Sequence, residues 1–181
     1  KYQVMVKLEN KFKIKIGILG GSFDPAHKGH LKISKEALKK FNLKSIVWAI
    51  TKKNPFKNKS TNDLKKRIEI CKKIIGKHKS IKVKYFEKII NSNKTSDLID
   101  RFYKSKKYEL FFLMGADNLI NFHKWHKWKN ILKKTKIIVF DRHSYKKKSL
   151  NSKTYKSLNK EKLKFIKFNK VNISSSQLRK I

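Results

Sequence analysis

The stretch Ile14-Lys15-Ile16-Gly17-Ile18-Leu19-Gly20-Gly21-Ser22-Phe23-Asp24-Pro25-Ala26-His27-Lys28-Gly29-His30-Leu31 decides how the rest of the chain is read. Its first six residues carry the apolar pattern of a strand. From Gly29 to Phe41, Leu31, Ile33, Ala37, Leu38 and Phe41 recur at helical spacing. A glycine-rich turn lies between. Strand, turn and helix N-terminus in that order make an anion site. The glycines let backbone approach a phosphate, and the N–H groups and dipole at the helix start favour negative charge. His27 and His30 stand three residues apart at the helix entry, so both rings face one side, with Gly29 leaving room between them. Two imidazoles there can donate hydrogen bonds to a polyphosphate, and such donors matter most where charge gathers on a leaving pyrophosphate.

Outward from this stretch the pattern keeps alternating between strand and helix. Further strands are predicted at Ser45–Ile50, Ile81–Phe86, Glu109–Met114, Lys136–Phe140 and Leu163–Phe168. A helix capped by Asp63 carries Leu64, Ile68, Cys71, Ile74 and Ile75 on its inner face and ends at Gly76. Another opens at Asn93–Asp97, where a Thr or Ser reads by default as the N-cap. Trp125 and Trp128 share a helical pattern, and Asp117, taken alone, reads as a helix cap. The stretch from His143 to Lys160 reads as loop and short helix. The alternation predicts an α/β fold, a Rossmann-like open parallel sheet with helices on both faces. Residues 1–13 form an N-terminal extension, and residues 14–181 a single domain.

The bulk properties set bounds. A 181-residue chain with 39% hydrophobic residues can bury a sizeable core. The single cysteine, Cys71, excludes an internal disulfide and suits a cytoplasmic setting. No uncharged apolar run approaches the length of a membrane span. The net charge of +37 invites a nucleic-acid reading. Yet only Arg67, Arg101, Arg142 and Arg179 among 49 basic residues are arginine, and the lysines are scattered over every predicted element. That distribution fits a lysine-rich coding bias better than a binding stripe. A basic, non-catalytic nucleic-acid-binding domain remains the reading from another class. His123 and His126 show no third ligand, so no metal site is predicted.

The turn is not a Gly-x-Gly-x-x-Gly dinucleotide fingerprint, because the third glycine is absent, and it lacks the Gly-Lys-Ser/Thr ending of a P-loop. Gly20 to His30 instead resembles the T/HxGH signature of the nucleotidyltransferase superfamily. More closely, it is similar to the bacterial nicotinate-nucleotide adenylyltransferase family. The match is spread along the chain. Gly115-Ala116-Asp117-Asn118-Leu119 followed by Trp125 resembles the family's Gly-Ala-Asp segment and its tryptophan. Ile173-Ser174-Ser175-Ser176-Gln177-Leu178-Arg179 resembles its C-terminal Ile-Ser-Ser-x-x-Ile-Arg signature, and Asn54-Pro55-Phe56-Lys57 a loop of some members. Two departures stand out: Thr95 where many members carry tyrosine before the Ser96 position, and His143-Ser144 in place of Pro-Gly.

The resemblance implies a nucleotidyltransferase fold and transfer of the adenylyl group of ATP to nicotinate mononucleotide in NAD biosynthesis. It implies that Gly20, Gly21, Ser22, Phe23, His27 and His30 hold the ATP phosphates, with His27 and His30 as the catalytic pair. Gly115 and Asp117 would face the ATP ribose. Ile173, Ser174, Ser175, Ser176 and Arg179 would complete the ATP site. Lys57, Ser96 and Trp125 would line the nicotinate-nucleotide side, and Arg142 would be a further phosphate contact. Mg²⁺ would arrive with ATP. The implied partners are the two small substrates, with no specific nucleic acid and no membrane; homo-oligomerisation stays open. Nicotinamide mononucleotide and phosphopantetheine remain alternative acceptors.

Overall fold

The computed structural model describes residues 13–52, 62–141, 145–157 and 160–167. They build one six-stranded, wholly parallel sheet. The strands are β1 (Ile14–Gly21), β2 (Ser45–Ile50), β3 (Ile81–Tyr85), β4 (Tyr108–Gly115), β5 (Lys136–Asp141) and β6 (Leu163–Lys167). The helices are α1 (Lys28–Phe41), α2 (Leu64–Ile75), α3 (Glu87–Ile90), α4 (Thr95–Lys104), α5 (Ala116–Asn121), α6 (Trp128–Lys134), α7 (Lys146–Leu150) and α8 (Lys153–Lys156). The strand order β3-β2-β1-β4-β5-β6 is that of a doubly wound sheet, and its direction reverses between β1 and β4.

The alternation of side chains along the strands separates two cores. Ile16, Ile18, Leu110, Phe112, Met114, Ile137 and Val139 face α4, α5 and α6, where Leu98, Ile99, Leu119 and Ile131 meet them. Leu19, Ile46, Trp48, Phe111, Leu113, Ile138 and Phe140 face α1 and α2, where Ile33, Ala37, Cys71 and Ile75 meet them. Both faces of the sheet are thus covered, as a parallel sheet requires. Each fully buried Ile or Phe contributes about 1.5–3 kcal/mol. Gly17 is glycine for a packing reason: a Cβ there would stand 2.8 Å from Ile46 Cγ1 and 3.1 Å from both Leu43 and Leu113. Burial pushes the Cys71 thiol up to about 12, against a smaller opposing effect of the Arg67 charge, which makes it an inert core residue.

The predicted strands and the helices after β1 and β2 are all present. Asp63 caps α2 by accepting from the Lys66 N–H at 2.7 Å, and Gly76 follows its end. Three local readings are corrected. The N-cap of α4 is Lys94, with no side-chain cap bond; the nearby hydroxyl of Ser92 instead accepts from the Lys94 N–H. Asp117 sits inside the first turn of α5, whose N-cap is Gly115. Trp125 and Trp128 do not share a helix. A 3₁₀ turn ends at Lys124, Lys127 takes a left-handed φ of 48°, and α6 begins at Trp128. The four-residue α3 has too few turns to show a period and was not predicted. Among the described residues no helix is long and apolar enough to cross a membrane.

Candidate active site

A cleft of about 460 Å³ opens at the carboxyl ends of β1, β2 and β4. It straddles the β1/β4 reversal, where open α/β sheets leave a crevice for ligands. Gly20, Gly21, Ser22, Phe23 and His30 form one wall. Ala49, Thr51, Phe112 and Met114 form the floor, with Gly115 and Asp117 at one end. The opposite wall runs from Phe86 to Leu98 and through Lys124, Trp125 and His126.

The two histidines cap α1 reciprocally. His27 is the N-cap, and its Nδ1 accepts from the Gly29 N–H at 3.1 Å; His30 Nδ1 accepts from the His27 N–H at 3.2 Å. A neutral imidazole that accepts at Nδ1 carries its proton at Nε2. Both rings are therefore set as Nε2 donors without needing to be charged. Their ring centroids lie 3.9 Å apart, with the planes tilted by 42°. His30 is half-buried and lines the cleft, while His27 is buried behind it. Beneath them Phe23 lies 5.0 Å from His30 and stacks on Trp48 at 5.0 Å and 11°. Trp48 Nε1 donates to Ser34 Oγ at 2.8 Å, and that hydroxyl donates to the His30 carbonyl at 2.9 Å. Phe23 occupies the left-handed region at φ 48°, which the stack holds in place, and the Asp24–Pro25 peptide that follows is cis.

The opposite wall is assembled from short pieces. The Asp97 carboxylate accepts from Ser92 Oγ at 2.7 Å and from Ser96 Oγ at 3.1 Å. The Ser92 hydroxyl is the main cause holding the Asp97 carboxyl below its ordinary range. Burial opposes it, and Ser96 with the charges of Lys127 and His126 reinforces it. Glu87 ties α3 to the end of β2 through the Thr51 hydroxyl and the Lys52 N–H. Trp125 packs on Phe122 and Phe112 with centroids 5.0 and 6.0 Å away. Lys94, Lys124 and His126 are exposed along this wall, with Thr95 half-buried among them.

The cleft brings together Gly20, Gly21, Ser22, Phe23, His30, Gly115, Asp117 and Trp125, which are spread over more than a hundred positions of sequence. Ser96 lies in α4 but is buried and turned to Asp97, and Thr95 beside it lines the cleft. Lys57, Arg142, Ile173, Ser174, Ser175, Ser176 and Arg179 lie outside the described residues. Sequence reading missed Lys94, Lys124 and His126 as cleft residues, because exposed lysines are everywhere in this chain. It also missed Arg67, which is buried behind the Ser22–Phe23 wall and donates to the Ser22 carbonyl at 2.7 Å. The scarcity of arginine was the available signal. Among the described residues no three His, Cys, Asp or Glu side chains converge to hold a metal ion.

Residues 18–181 match the model of the cytidylyltransferase-like family. A protein of Pelagibacter ubique (strain HTCC1062), named "Probable nicotinate-nucleotide adenylyltransferase", is 65% identical over 180 residues, covering 98% of this chain and 100% of its own. One of the same name from Ruegeria sp. (strain TM1040) is 36% identical over 128 residues, 70% of this chain and 67% of its own. The solved structure of Plasmodium falciparum nicotinic acid mononucleotide adenylyltransferase complexed with NaAD superposes with a TM-score of 0.76 at 22% identity, covering 92% of this chain and 82% of that one. The last is a likeness of fold. With a family model spanning nearly the whole chain and a relative identical at two positions in three, this chain belongs to the cytidylyltransferase-like family and, within it, to the nicotinate-nucleotide adenylyltransferases.

Proposed function

We propose that this chain transfers the adenylyl group of ATP to nicotinate mononucleotide, forming nicotinate adenine dinucleotide and pyrophosphate in NAD biosynthesis. The observation that carries the reading is the pair of Nδ1-capped histidines beside a glycine-walled phosphate cleft, in a chain 65% identical to a named member of the family. An oxygen of the mononucleotide phosphate attacks the α-phosphorus of ATP, the bond from that phosphorus to the bridging β-oxygen breaks, and pyrophosphate leaves. The attacking phosphate is already anionic, so no protein base is needed. Catalysis then comes from position and charge stabilisation.

His30, backed by His27, donates through Nε2 to the triphosphate, and the backbone of Ser22 and Phe23 receives it. Gly115 and Asp117 take the ribose. Ile173, Ser174, Ser175, Ser176 and Arg179 are assigned the remaining ATP contacts. Trp125, Lys57 and the Thr95–Ser96 turn take the acceptor, and Arg142 is a further phosphate contact. Mg²⁺ enters as part of the MgATP substrate, held by phosphate oxygens and water, as small hard cations prefer. Lys94, Lys124 and His126 favour the acceptor that carries a carboxylate over its neutral amide counterpart. The lone buried cysteine suits a cytoplasmic enzyme.

The test is pyrophosphate release with MgATP and each of three acceptors: nicotinate mononucleotide, nicotinamide mononucleotide and phosphopantetheine. The expected result is strong preference for the first. Preference for either other acceptor overturns the assignment of the Trp125 wall, and no release with any overturns the proposed reaction.

A further inference from the structure

We propose that Arg67 is the positioning residue of the triphosphate wall: its buried guanidinium fixes the Ser22–Phe23 peptide for phosphate binding and sets a positive charge behind it. The proposal takes the identity of the anion from the adenylyl-transfer reading; the geometry stands without it.

Arg67 lies in the first turn of α2 and is 1% exposed. Its Nη1 donates to the carbonyls of Ser22 at 2.7 Å and Thr51 at 2.8 Å. Nη2 donates to Lys52 at 3.0 Å, and Nε is shared between Asn62 at 3.1 Å and Asp63 at 3.3 Å. One planar group thus joins the turn after β1, the end of β2 and the start of α2. Every acceptor is a main-chain carbonyl, and among the described residues no carboxylate forms an ion pair with it. A buried guanidinium is ordinarily matched by an anion. Here main-chain carbonyl dipoles hold it directly behind the Ser22–Phe23 turn.

The Ser22 bond has a direct geometric effect. In a trans peptide C=O and N–H point in opposite directions. Holding the Ser22 carbonyl on Arg67 aims the Phe23 N–H away from α2, at the wall that Ser22 and Phe23 give to the cleft. Phe23 is also the residue at φ 48°, a conformation that side-chain-bearing residues adopt rarely, so a fixed partner on the preceding carbonyl keeps it there. Lysine cannot replace this fork, since it offers a single point charge on a flexible stem. In a chain where 49 basic residues include only four arginines, an arginine at this point is informative.

The experiment compares wild type with Arg67→Lys and Arg67→Gln. Calorimetric titration with inorganic tripolyphosphate reads anion binding without activity. Steady-state kinetics read kcat and the KM of MgATP and of nicotinate mononucleotide, and thermal melts report folding. For folded Arg67→Lys the expected result is at least tenfold weaker tripolyphosphate binding and a kcat lowered on the order of 10²-fold, the size of losing a preorganised donor. The acceptor KM should move less than threefold. Tripolyphosphate affinity and kcat within twofold of wild type overturn the proposal, and so do equal losses for both substrates, which mark a purely structural clamp. Should neither variant fold, the Nε–H resonance of Arg67 in the wild-type protein is the second readout: it should exchange slowly and shift when tripolyphosphate is added, and an unmoved signal overturns the proposal. Wild type that binds tripolyphosphate with the expected Arg67 dependence but transfers no adenylyl group to any of the three acceptors would sink the assigned reaction and leave this inference standing.

Discussion

His30 and Trp125 face the same cleft from opposite sides, but their supports differ in kind. His30 is fixed by the N-cap it shares with His27, by the Phe23–Trp48 stack below and by the Ser34 hydroxyl on its carbonyl. That side rests on two long helices and the centre of the sheet. Trp125 sits where a 3₁₀ turn has ended, beside exposed Lys124 and His126, on the same wall as a turn held by the Ser92–Asp97–Ser96 hydrogen bonds. Transition-state charge is stabilised best by donors that do not reorganise. Recognition of one acceptor among relatives is commonly delegated to loops and short elements carried by a rigid frame. On the proposed reading the cleft divides its work in that way, with phosphate chemistry on the stiff wall and acceptor choice on the pieced one.

The largest expected break in that contrast is His30→Ala. It should lower kcat on the order of 10²-fold or more, about 2.7 kcal/mol of transition-state stabilisation, with about 1 kcal/mol of stability lost from the cap. Stopped assays and a melt measure the two, and a fall in kcat of less than threefold would remove His30 from the mechanism. Trp125→Ala tests the other wall. The KM of nicotinate mononucleotide should rise about tenfold, as loss of an aromatic contact predicts, while that of MgATP stays within twofold. Equal changes would make Trp125 a core residue of both walls. The smallest effect belongs to Asp97→Asn. A carboxylate held below its ordinary range stabilises the fold above that range, and the contribution is lost as pH falls through the lowered value. Wild type should exceed the variant by about 0.5 kcal/mol at neutral pH. Urea melts should show the gap closing below about pH 4. A gap independent of pH would assign the effect to shape rather than charge.

How far each wall was legible in the sequence follows from where its partners lie. The stiff wall is written in one continuous run, Ile14 to Leu31, because strand, turn and cap need particular residue types at short, fixed spacing. The sheet was equally plain, since apolar runs such as Leu110–Met114 alternate between two buried faces. Arg67 was not legible, since its acceptors are backbone carbonyls up to 45 positions away, and carbonyls have no residue identity. The break between Trp125 and Trp128 was hidden because Lys127 takes a left-handed conformation with neither glycine nor asparagine to signal it. On the pieced wall, the Ser96 hydroxyl, a cap candidate in the sequence, serves Asp97 instead, together with Ser92. The competing acceptor is itself local, one residue from Ser96 and five from Ser92, so short-range sequence offers two hydrogen-bonding choices and does not decide between them.

The aromatic stack under His30 gives the protein an optical handle. Trp48 is wholly buried, its indole N–H fixed on Ser34, and it touches the cleft only through Phe23 and the edge of His30, 5.9 Å away. Trp125 sits half-buried in the opposite wall. Each wall thus holds its own fluorophore, one shielded and one open to quencher. With Trp128 and either of the others replaced by phenylalanine, emission from the remaining indole follows the filling of one wall, and the order in which the two substrates arrive becomes a matter of reading two colours in time.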